Sequence, residues 1–526
     1  MHSPKTFNEL LGRIQTYPGN KLCSVIDDIE YKYENLVSQV NGLSKYLQEI
    51  GIKKGDRVAV WLPNCFEWVV SLLAVGSIGA ILVPLNTRFQ DTEAKYVLGH
   101  SKSKVLITRA KFLNNSYLDK IISWNSTNDP FTYDSRELPF LKNLIWIGEE
   151  APNIGESWKS AVTNDGIYEK VESSDYDPVL IQYTSGTTSF PKGALLTHCG
   201  LLQNAYYVGA RMNITSEDKV FSAGPFCHIG GVTMQVLLAL IYQVPFFSQA
   251  YFVPEQAAAM VKKYKCTTYS GIDSLFLLVM ELSSFQKDDF SSIRTGWTTG
   301  SPEITKLIKE KMGIEDILCI YGLSEASPNV GICDINDPIE KRLNSCGRAH
   351  PSCEIRIMDP STFEFLPPGK EGEIVLKGYN LMLEYFENKE ETEKVFYNGW
   401  LRTGDLGRMD EDGYLYFLGR IKEIIRVGGE NFSPQEVEGL LYEHPNIEQV
   451  ALIGIPDDKY GEIPVALVKQ KAGTLLSLEV IQLFLKGRVA SYKIPKKLII
   501  VDQFPMTESG KIQKAKLKDE LLNVSR

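Results

Sequence analysis

The segment Tyr183–Gly193, YTSGTTSFPKG, decides how this sequence is interpreted. An apolar run, 179–183, predicts a strand that leads into it. Hydroxyl groups and turned backbone N–H groups can donate to several phosphate oxygens, and Lys192 adds a positive charge. Pro191 precedes this lysine and Gly193 follows it, whereas a Walker A loop has glycine before its lysine and Ser or Thr after it. The segment therefore predicts a nucleotide-phosphate loop of a protein other than a P-loop NTPase.

The length and composition predict a multidomain globular protein. A chain of 526 residues is too long for one hydrophobic core and implies at least two domains. The hydrophobic fraction of 44% and the charged fraction of 23% are those of ordinary globular proteins. The net charge of -9 argues against a general nucleic-acid binder, which would carry a basic face.

Cysteine usage and hydropathy predict a cytoplasmic protein without an integral membrane segment. The nine cysteines form no Cys-x-x-Cys pair, which is typical of reduced thiols. The longest apolar run, Val69–Leu85, is shorter than the roughly 20 residues of a membrane span. It predicts a buried helix followed by a buried strand. Neither end of the chain resembles a targeting signal.

The order of apolar and helical patterns predicts an α/β fold. Helical patterns over 33–50 and 66–77 lie between short apolar runs that are typical of buried parallel strands, at 57–61, 80–83 and 104–107. From about residue 354 the strands become shorter and the turns denser. This change predicts a mostly antiparallel, β-rich subdomain over about 354–418, with a hairpin turn at Met409–Tyr414.

A second, small domain is predicted to begin after Arg420. Ser433-Pro434-Gln435-Glu436 predicts a helix start, with a capping box and proline at the first helical position. Strands at 449–453 and 464–469 and a helix over about 477–488 follow. We therefore expect a large domain of layered α/β subdomains plus the β-rich subdomain over 1–420, and a small α+β domain over 421–526.

Several polar residues outside the loop are candidates for nucleotide binding. Tyr321 offers a ring face to a base, and Glu325 offers a carboxylate to Mg²⁺. Asp405 can accept two hydrogen bonds from a ribose diol, and Arg420 can reach a ribose or a phosphate. Taken singly, three of them have a plainer interpretation: Glu325 as a helix-cap or solvated glutamate, Asp405 as a turn aspartate and Arg420 as part of a surface ion pair.

Two further segments are ambiguous when each is taken alone. Lys511 ends a predicted turn over 507–510, and its alternative is an exposed lysine in a lysine-rich tail. His228 lies beside two glycines and before an apolar helix. It is either a pocket residue or a histidine at a helix entry.

Together, and in this order, these segments resemble the adenylate-forming superfamily, which contains acyl-CoA synthetases, firefly luciferase and the adenylation domains of peptide synthetases. The resemblance runs from the strand near Arg57 to Lys511. It departs from the family pattern at Ser189, where glycine is usual, and at Ser324, where threonine is usual. Neither departure removes a charged group.

The resemblance implies a role for each motif. The β- and γ-phosphates would be held by Thr184, Ser185, Gly186, Thr187, Thr188 and Lys192, and the Mg²⁺ by Glu325 together with Thr187. The adenine would lie against Gly300, Ser301, Pro302 and Tyr321, with Gly322 and Ser324 in the same nucleotide site. The ribose would be held by Asp405 and Arg420.

The resemblance also implies roles for the C-terminal domain and for the acyl pocket. Lys511 would reach the carboxylate and the α-phosphate, and Lys422 would be the hinge of a mobile lid. The glycine-rich segment would line the thiol tunnel with Gly428, Gly429 and Glu430. His228 would lie at the acyl pocket beside that tunnel.

The implied chemistry has two steps. The carboxylate attacks the α-phosphorus of ATP and gives acyl-AMP and pyrophosphate, while Lys511 and Mg²⁺ offset the developing charge. A CoA thiolate then attacks the carbonyl and AMP leaves. Lys511 is not needed in the second step, so a domain that pivots at Lys422 would present the 428–430 face instead.

The sequence narrows the acid but leaves alternatives. Peptide-synthetase domains carry an aspartate in the segment that corresponds to Pro225–His228, and this chain has none there. A carboxylic acid without an α-amino group is therefore expected, either a medium-length fatty acid or an aromatic one. The pocket walls would come from 228–236, 271–276 and 297–300, and Trp297 is a pocket cap, a gate or packed core.

Other readings of the whole chain stay open. CoA is the expected acceptor, with a carrier-protein thiol as the alternative, and a homodimer is left open. Oxidation of the adenylate, as in luciferase, is a further alternative. The last is a non-catalytic nucleotide-binding homologue.

Overall fold

The computed structural model describes most of the chain. The described residues are 2–127, 129, 132–148, 152–163, 168–184, 191–299, 301–428, 430–457, 459–506 and 512–524, with the backbone alone at 431, 523 and 524. The α/β fold that the sequence predicts is confirmed. Four sheets of five or more strands organise the described residues.

A seven-stranded sheet carries the phosphate-loop segment at its edge. Its strands are rich in Val, Ile and Leu and are buried on both faces, as parallel strands between helices are. The predicted strands at 57–61, 80–83 and 104–107 are confirmed within it. In spatial order the strands are Lys192–Thr197, Pro178–Thr184, Ile81–Pro84, Arg57–Trp61, Val105–Arg109, Asn143–Ile147 and Glu156–Ser157.

A nine-stranded sheet packs beside it and carries the Tyr321 segment. Its central strands are parallel, and its two ends are antiparallel. In spatial order the strands are Arg348–Ala349, Asn329–Ile332, Asp316–Gly322, Thr295–Thr298, Thr268–Ser270, Val220–Ser222, Phe246–Ser248, Leu22–Ile26 and Ile29–Lys32. A separate two-stranded ribbon joins Lys111–Phe112 and Asn115–Ser116.

Helices cover these two sheets. The run Val69–Leu85 forms the end of a buried helix and then a buried strand, as predicted. Among the described residues, no helix is long and apolar enough to cross a membrane. The α-helices of this part are Phe7–Ile14, Tyr33–Glu49, Phe66–Ser77, Asp91–Ser101, Tyr117–Trp124, Trp158–Val162, His198–Arg211, Ile229–Gly231, Leu238–Tyr242, Pro254–Tyr264, Asp273–Met280, Pro302–Met312 and Ile339–Asn344; Val232–Leu237 is a π-helix, and Lys287–Phe290 and Ser324–Ala326 are 3₁₀ turns. The helix Lys389–Val395 belongs to the β-rich subdomain instead.

The β-rich subdomain is an antiparallel sheet of five strands, as predicted. The predicted hairpin turn is confirmed, because the strand Trp400–Met409 turns back into Leu415–Arg420, and Gly413 has a φ of +82°. The other strands are Cys353–Met358, Gly372–Gly378 and Phe396–Tyr397.

The C-terminal residues form a second α+β unit around their own sheet. Its strands are Glu430–Phe432, Ile425–Val427, Gly461–Gln470, Ile447–Asp457 and Lys497–Ile500. Its α-helices are Pro434–Tyr442, Leu478–Leu485 and Lys514–Val524, and Ile421–Glu423 and Ser491–Lys493 are 3₁₀ turns. The predicted boundary between domains at 420/421 stays a prediction.

Two details of this unit differ from the prediction. Ser433 does cap its helix, with its Oγ accepting from the Gln435 N–H over 3.3 Å. The reciprocal half of the capping box is absent, because the Glu436 carboxylate accepts from Lys493 Nζ over 2.6 and 2.7 Å instead. The helix predicted over 477–488 ends at Leu485, since Gly487 has a φ of +78° that an α-helix does not allow.

The helix Pro434–Tyr442 joins the two units. A Cβ added to Gly439 would lie 2.8 Å from Glu303 Oε2, so this helix packs closely against the start of Pro302–Met312. Tyr442 packs against apolar residues of both units. The small unit is therefore in close contact with the helix that begins next to Ser301.

Candidate active site

The phosphate-loop segment is a hairpin at the edge of the seven-stranded sheet. Strand Pro178–Thr184 runs antiparallel to Lys192–Thr197, and Thr184 pairs with Lys192 across the ladder. This pairing fixes the backbone of both residues at the ends of the loop. The loop residues Ser185, Gly186, Thr187, Thr188 and Ser189 lie outside the described residues.

Lys192 lies in a polar niche that the sequence analysis did not foresee. Its ammonium forms an ion pair with the carboxylate of Glu391, and its Nζ lies 5.2 Å from the centroid of the Tyr385 ring. The ion pair with Lys192, helped by Lys394, lowers the pKa of Glu391 to about 2, so this carboxylate is ionised at neutral pH.

Glu325 lies close to the same tyrosine. The hydroxyl of Tyr385 donates to Glu325 Oε1 over 2.8 Å. The backbone carbonyl of Glu325 accepts from the Met382 N–H over 2.7 Å, which ties the 3₁₀ turn Ser324–Ala326 to the segment before Tyr385. Burial, and then the charge of Glu325, raise the pKa of Tyr385, so this hydroxyl keeps its proton. Tyr385 therefore contacts both Lys192, the predicted phosphate ligand, and Glu325, the predicted magnesium ligand.

Glu325 suits a magnesium ion carried by a nucleotide. Mg²⁺ is commonly bound by one or two carboxylates together with water and substrate phosphates. Among the described residues, no group of three His, Cys, Asp or Glu side chains forms a ready metal site. Thr187, the second predicted metal ligand, lies outside the described residues.

Tyr321, Asp405 and Arg420 form a second cluster. The Tyr321 hydroxyl donates to Asp405 Oδ2 over 2.7 Å, and Arg420 Nε lies 3.5 Å from Asp405 Oδ1. Asp405 pairs with Arg420 across the antiparallel ladder, which explains their proximity. The carboxylate is buried, whereas 62% of the Arg420 side chain is exposed. The structure thus brings together a ring, a carboxylate and a guanidinium that were predicted separately.

Asn329 and His350 support Tyr321 from behind. Asn329 Nδ2 donates to the carbonyl of Tyr321 over 3.0 Å, and its Oδ1 lies 2.7 Å from His350 Nε2. Burial lowers the pKa of His350 to about 3. The neutral imidazole therefore donates from Nε2 to Asn329. Neither residue belongs to a recognisable motif, and the sequence analysis missed both.

Gly322 and Ser324 continue from the Tyr321 strand into a tight turn. Gly322 is the last residue of Asp316–Gly322 and pairs with Asn329. Ser324 begins the 3₁₀ turn that carries Glu325. These two predicted site residues therefore connect the Tyr321 cluster with the turn that carries Glu325.

Ser301 and Pro302 begin the helix Pro302–Met312. Ser301 is the N-cap, with its Oγ accepting from the Ile304 N–H over 3.4 Å. Pro302 occupies the first helical turn, where its missing N–H costs nothing. Gly300 lies outside the described residues.

His228 caps the short helix Ile229–Gly231 and is only partly buried. Its N–H donates to the Pro225 carbonyl over 3.1 Å. A Cβ on Gly231 would approach that same carbonyl oxygen to 2.3 Å, so this turn requires glycine. The turn positions the imidazole at the end of Pro225–His228, a segment without any carboxylate.

Two amides outside every motif hold this segment in place. Asn64 Oδ1 accepts from the Phe226 N–H over 2.7 Å. Gln182, on the strand before the phosphate loop, donates from Nε2 to the Cys227 carbonyl over 3.3 Å. The phosphate hairpin and the His228 segment are thus directly connected, a contact the sequence did not indicate.

The predicted acyl-pocket walls lie close together. The Gly271 N–H donates to the Trp297 carbonyl over 3.0 Å. Gln235, fully buried, donates from Nε2 to Ser270 O over 2.9 Å and accepts from the Gly224 N–H over 3.1 Å. Trp297 itself is 3% exposed and packs in the main apolar core, which favours packed core among the three roles considered for it.

The described C-terminal candidates lie in the 3₁₀ turn Ile421–Glu423 and in the hairpin that follows it. Lys422 is exposed in the turn Ile421–Glu423. Gly428, with a φ of +60°, turns the chain between Val427 and Glu430, which pair across the hairpin. Gly429 and Lys511 lie outside the described residues. Met506 and Ile512, which flank residues 507–511 in the sequence, form an antiparallel bridge.

Most of the chain matches two protein families. Residues 12–386 match the AMP-binding enzyme family, and residues 436–511 match the AMP-binding enzyme C-terminal domain. A putative acyl-CoA synthetase of Bacillus subtilis, YngI, is 38% identical over 95% of this chain and 94% of its own length. The mitochondrial medium-chain acyl-CoA ligase ACSF2 of Danio rerio is 32% identical over 97% of this chain and 87% of its own.

Solved structures agree with this assignment. ATP-bound MatB from Rhodopseudomonas palustris is 25% identical with a TM-score of 0.86, covering 99% of this chain and 100% of that one. The o-succinylbenzoate CoA synthetase MenE of Bacillus subtilis, in complex with its acyl-adenylate, is 26% identical with a TM-score of 0.79, covering 99% of each chain. The chain therefore belongs to the AMP-binding enzyme family, the adenylate-forming superfamily, and within it to the AMP-forming acyl-CoA ligases.

Proposed function

We propose that this enzyme uses ATP to join a carboxylic acid without an α-amino group to the thiol of CoA, through an acyl-AMP intermediate. One observation carries the proposal: Tyr385 contacts both Lys192 and Glu325, with the cation over its ring and the carboxylate at its hydroxyl. That pairing suits a polyphosphate and its metal ion. The ATP-bound relative MatB supports ATP as the nucleotide.

At the phosphate end, Lys192 would donate to the β- and γ-phosphates, with Thr184, Ser185, Gly186, Thr187 and Thr188 around them. A lysine offers three N–H donors and a full positive charge. Its backbone is held in the hairpin ladder opposite Thr184. The phosphates would therefore meet a lysine whose backbone is fixed by the sheet and whose ammonium lies beside Tyr385.

Glu325, with Thr187, would hold Mg²⁺ beside those phosphates. When bound, the ion would neutralise charge on the phosphate oxygens as the α-phosphorus is attacked. The Tyr385 hydroxyl fixes one oxygen of the Glu325 carboxylate. The hydroxyl would thereby orient Glu325 Oε2, the second carboxylate oxygen, toward the ion.

At the nucleoside end, Asp405 and Arg420 would bind the ribose, and Tyr321 would flank the adenine with Gly300, Ser301, Pro302 and its neighbours Gly322 and Ser324. A buried carboxylate is a strong acceptor for the two ribose hydroxyls. The Tyr321 hydroxyl and the Arg420 guanidinium, at 2.7 and 3.5 Å, keep the Asp405 carboxylate in one orientation.

At the acid end, His228 would face the reacting carboxylate. The turn that carries it has no carboxylate to pair with an α-ammonium group. This absence within Pro225–His228 supports acids without that group over amino acids. The bond from Gln182 to Cys227 holds the acid segment against the phosphate strand. The acid and the triphosphate would therefore be held at a fixed separation.

The C-terminal unit would serve the two half-reactions in turn. Lys511 would stabilise the charge on the carboxylate and the α-phosphate while pyrophosphate leaves. For thioester formation, rotation about Lys422 would replace Lys511 by Gly428, Gly429 and Glu430. The thiolate would then attack the acyl carbonyl and release AMP.

For the acid itself, we propose a medium-chain fatty acid, with an aromatic acid as the second candidate. The medium-chain ligases of several vertebrates, 30–32% identical over at least 94% of this chain, support the first. The named substrate of MenE is aromatic and supports the second. The predicted pocket segments contribute buried apolar side chains, among them Ile229 and Phe276.

CoA is the proposed acceptor and a carrier-protein thiol the alternative. We place the enzyme in the cytoplasm. All nine cysteines lie in the described part of the chain and none is in a disulfide, which fits a reducing compartment. A homodimer is compatible with the proposed chemistry.

A substrate panel tests the proposal. Fatty acids of increasing length, aromatic acids and amino acids are incubated with ATP, Mg²⁺ and CoA, and pyrophosphate release and acyl-CoA are measured. We expect both products with medium-chain or aromatic acids and neither with amino acids. ATP binding without any exchange of labelled pyrophosphate into ATP would favour the non-catalytic homologue. Product formation with a phosphopantetheinylated carrier but not with CoA would overturn the acceptor.

A further inference from the structure

Lys192 has an anionic partner supplied by the protein itself. Glu391, on the helix Lys389–Val395, forms an ion pair with it, and both side chains are largely covered, at 15% and 21% exposure. The carboxylate lies where it neutralises the ammonium that we assign to the β- and γ-phosphates. Glu391 belongs to none of the predicted motifs.

The position of Glu391 is fixed through the backbone of the phosphate hairpin. The segment before its helix is bonded to the hairpin strand, with the Phe386 N–H donating to Gly193 O over 2.7 Å and the Leu195 N–H to Glu384 O over 3.0 Å. This segment therefore extends the hairpin by one irregular strand. The carboxylate and the ammonium are carried on the same rigid framework.

Local capping bonds hold the helix that carries Glu391. The backbone N–H of Glu391 donates to Asn388 Oδ1 over 3.1 Å. The Tyr385 N–H donates to Thr392 Oγ1 over 2.9 Å, and that hydroxyl donates to Asn388 O over 2.8 Å. These hydrogen bonds fix the backbone of Glu391. Motion of its side chain alone can make or break the contact with Lys192.

Two anions compete for one ammonium in this arrangement. A polyphosphate that approaches Lys192 meets both the cation and the negative charge of Glu391. Opposite charges a few ångströms apart attract, and like charges repel by similar amounts. Binding of the phosphates must therefore displace the carboxylate or tolerate its repulsion. Conversely, the carboxylate can take the place of phosphate oxygens as they depart.

We propose that Glu391 is a positioning residue that exchanges with the polyphosphate for Lys192 and so lowers the affinity of the site for pyrophosphate. This inference rests on the proposed function of Lys192 as a phosphate ligand. The carboxylate stabilises the ammonium when pyrophosphate leaves and favours its release. Pyrophosphate would therefore leave faster, and ATP would bind less tightly than it would without Glu391.

The helix offers a matched control in Glu390. Glu390 and Glu391 both accept from Lys394 Nζ over 2.7 Å, and Glu391 also pairs with Lys192. Glu390→Gln and Glu391→Gln each remove one partner of Lys394 and one negative charge. They differ in the loss of the Lys192 ion pair. A difference between them therefore reports that pair.

The test measures binding of inorganic pyrophosphate and of ATP, each with MgCl₂, to the full-length variants by calorimetry. We expect Glu391→Gln to bind pyrophosphate roughly 3- to 30-fold more tightly than wild type, the range for losing one competing charge pair. It should also show a lower KM for ATP and a lower kcat. Glu390→Gln should match wild type in all three. A merely structural role of Glu391 would not lower KM and kcat together.

Equal or weaker pyrophosphate binding by a folded Glu391→Gln would overturn the exchange. Should that variant not fold, Glu391→Asp withdraws the carboxylate by one methylene group, and it is expected to bind pyrophosphate more tightly than wild type. Unchanged binding there overturns the exchange equally. Wild-type enzyme that binds neither ATP nor pyrophosphate would refute the proposed function of Lys192 itself. The two failures are thus separate results.

Discussion

The Tyr385 hydroxyl donates to Glu325 Oε1 over 2.8 Å, although 60 residues separate the two in sequence. The same ring lies beside Lys192, so one tyrosine from the β-rich subdomain reaches both a strand of the seven-stranded sheet and the turn that carries Glu325. A single phenol thereby connects the proposed metal ligand with the proposed phosphate ligand. Its removal has a defined expected result.

Tyr385→Phe keeps the ring beside Lys192 and removes the hydrogen bond to Glu325. A hydrogen bond to a charged group contributes about 1.5–3 kcal/mol, so we expect pyrophosphate exchange to fall by about tenfold or more. A higher Mg²⁺ concentration should recover part of the loss. Tyr416→Phe is the control, because its hydroxyl donates to Asp410 over 3.0 Å, outside the site. Equal activity of Tyr385→Phe and wild type would contradict the orienting role.

Gly231→Ala should disable the acid segment. The added methyl would lie 2.3 Å from Pro225 O, so the turn must shift and move His228. We expect a loss of about 1–3 kcal/mol in stability and at least about tenfold in acid-dependent activity. Gly230→Ala is a close control, since its methyl meets nothing nearer than Met234 Cε at 3.7 Å. Thermal melts and the pyrophosphate assay check both variants, and equal behaviour of the pair would count against this account.

Lys511→Ala should separate the two half-reactions. We expect acyl-AMP formation to fall by about 100-fold or more, the scale for removing a group that stabilises developing charge. Conversion of supplied acyl-AMP and CoA into acyl-CoA should be retained. Lys516→Ala, an exposed lysine of the same tail, serves as the control. Parallel loss of both half-reactions in a folded Lys511→Ala variant would refute the alternation.

Acid should destabilise the fold through two buried histidines. Burial lowers the pKa of His350 to about 3 and that of His198 to about 4, from an ordinary value of 6.5. Below pH 6.5 the unfolded chain takes up protons that the folded chain does not, so stability present at pH 7 is lost as the pH falls toward these values. Each such histidine contributes a slope of up to about 1.4 kcal/mol per pH unit.

The measurement is Tm between pH 7 and pH 5. Wild type should lose Tm over this range, and His350→Gln, whose amide can still donate to Asn329, should lose less. His2→Gln, at an exposed position, should follow wild type. A slope that His350→Gln leaves unchanged would show that other groups cause the acid sensitivity.

The sequence indicated several elements correctly but not the contacts between them. Apolar runs near Arg57 and Ile81 predicted strands correctly, because burial on both faces of a parallel strand leaves a continuous hydrophobic pattern. Tyr321 and Asp405 were both named, yet their hydrogen bond joins residues 84 apart. Such a contact depends on the order of strands and sheets, which periodicity does not encode.

The missed site residues are missed for the same physical reason. Glu391 meets Lys192 across 199 residues, and Gln182 meets Cys227 through a backbone carbonyl. Both contacts join residues that are far apart in the sequence, so no local sequence motif marks them. The capping box predicted at Ser433 forms only in part, because the Glu436 carboxylate accepts from Lys493 and does not bond to the backbone at the helix start.

The irregular strand that joins the β-rich subdomain to the phosphate hairpin also has a protective effect. Lys192–Thr197 is the outermost strand of its sheet, and such a strand offers unsatisfied N–H and carbonyl groups to other molecules. The backbone bonds from 383–386 occupy part of that row. A shortened chain that stops before this segment would uncover it and invite intermolecular pairing, so aggregation would accompany the loss of catalysis.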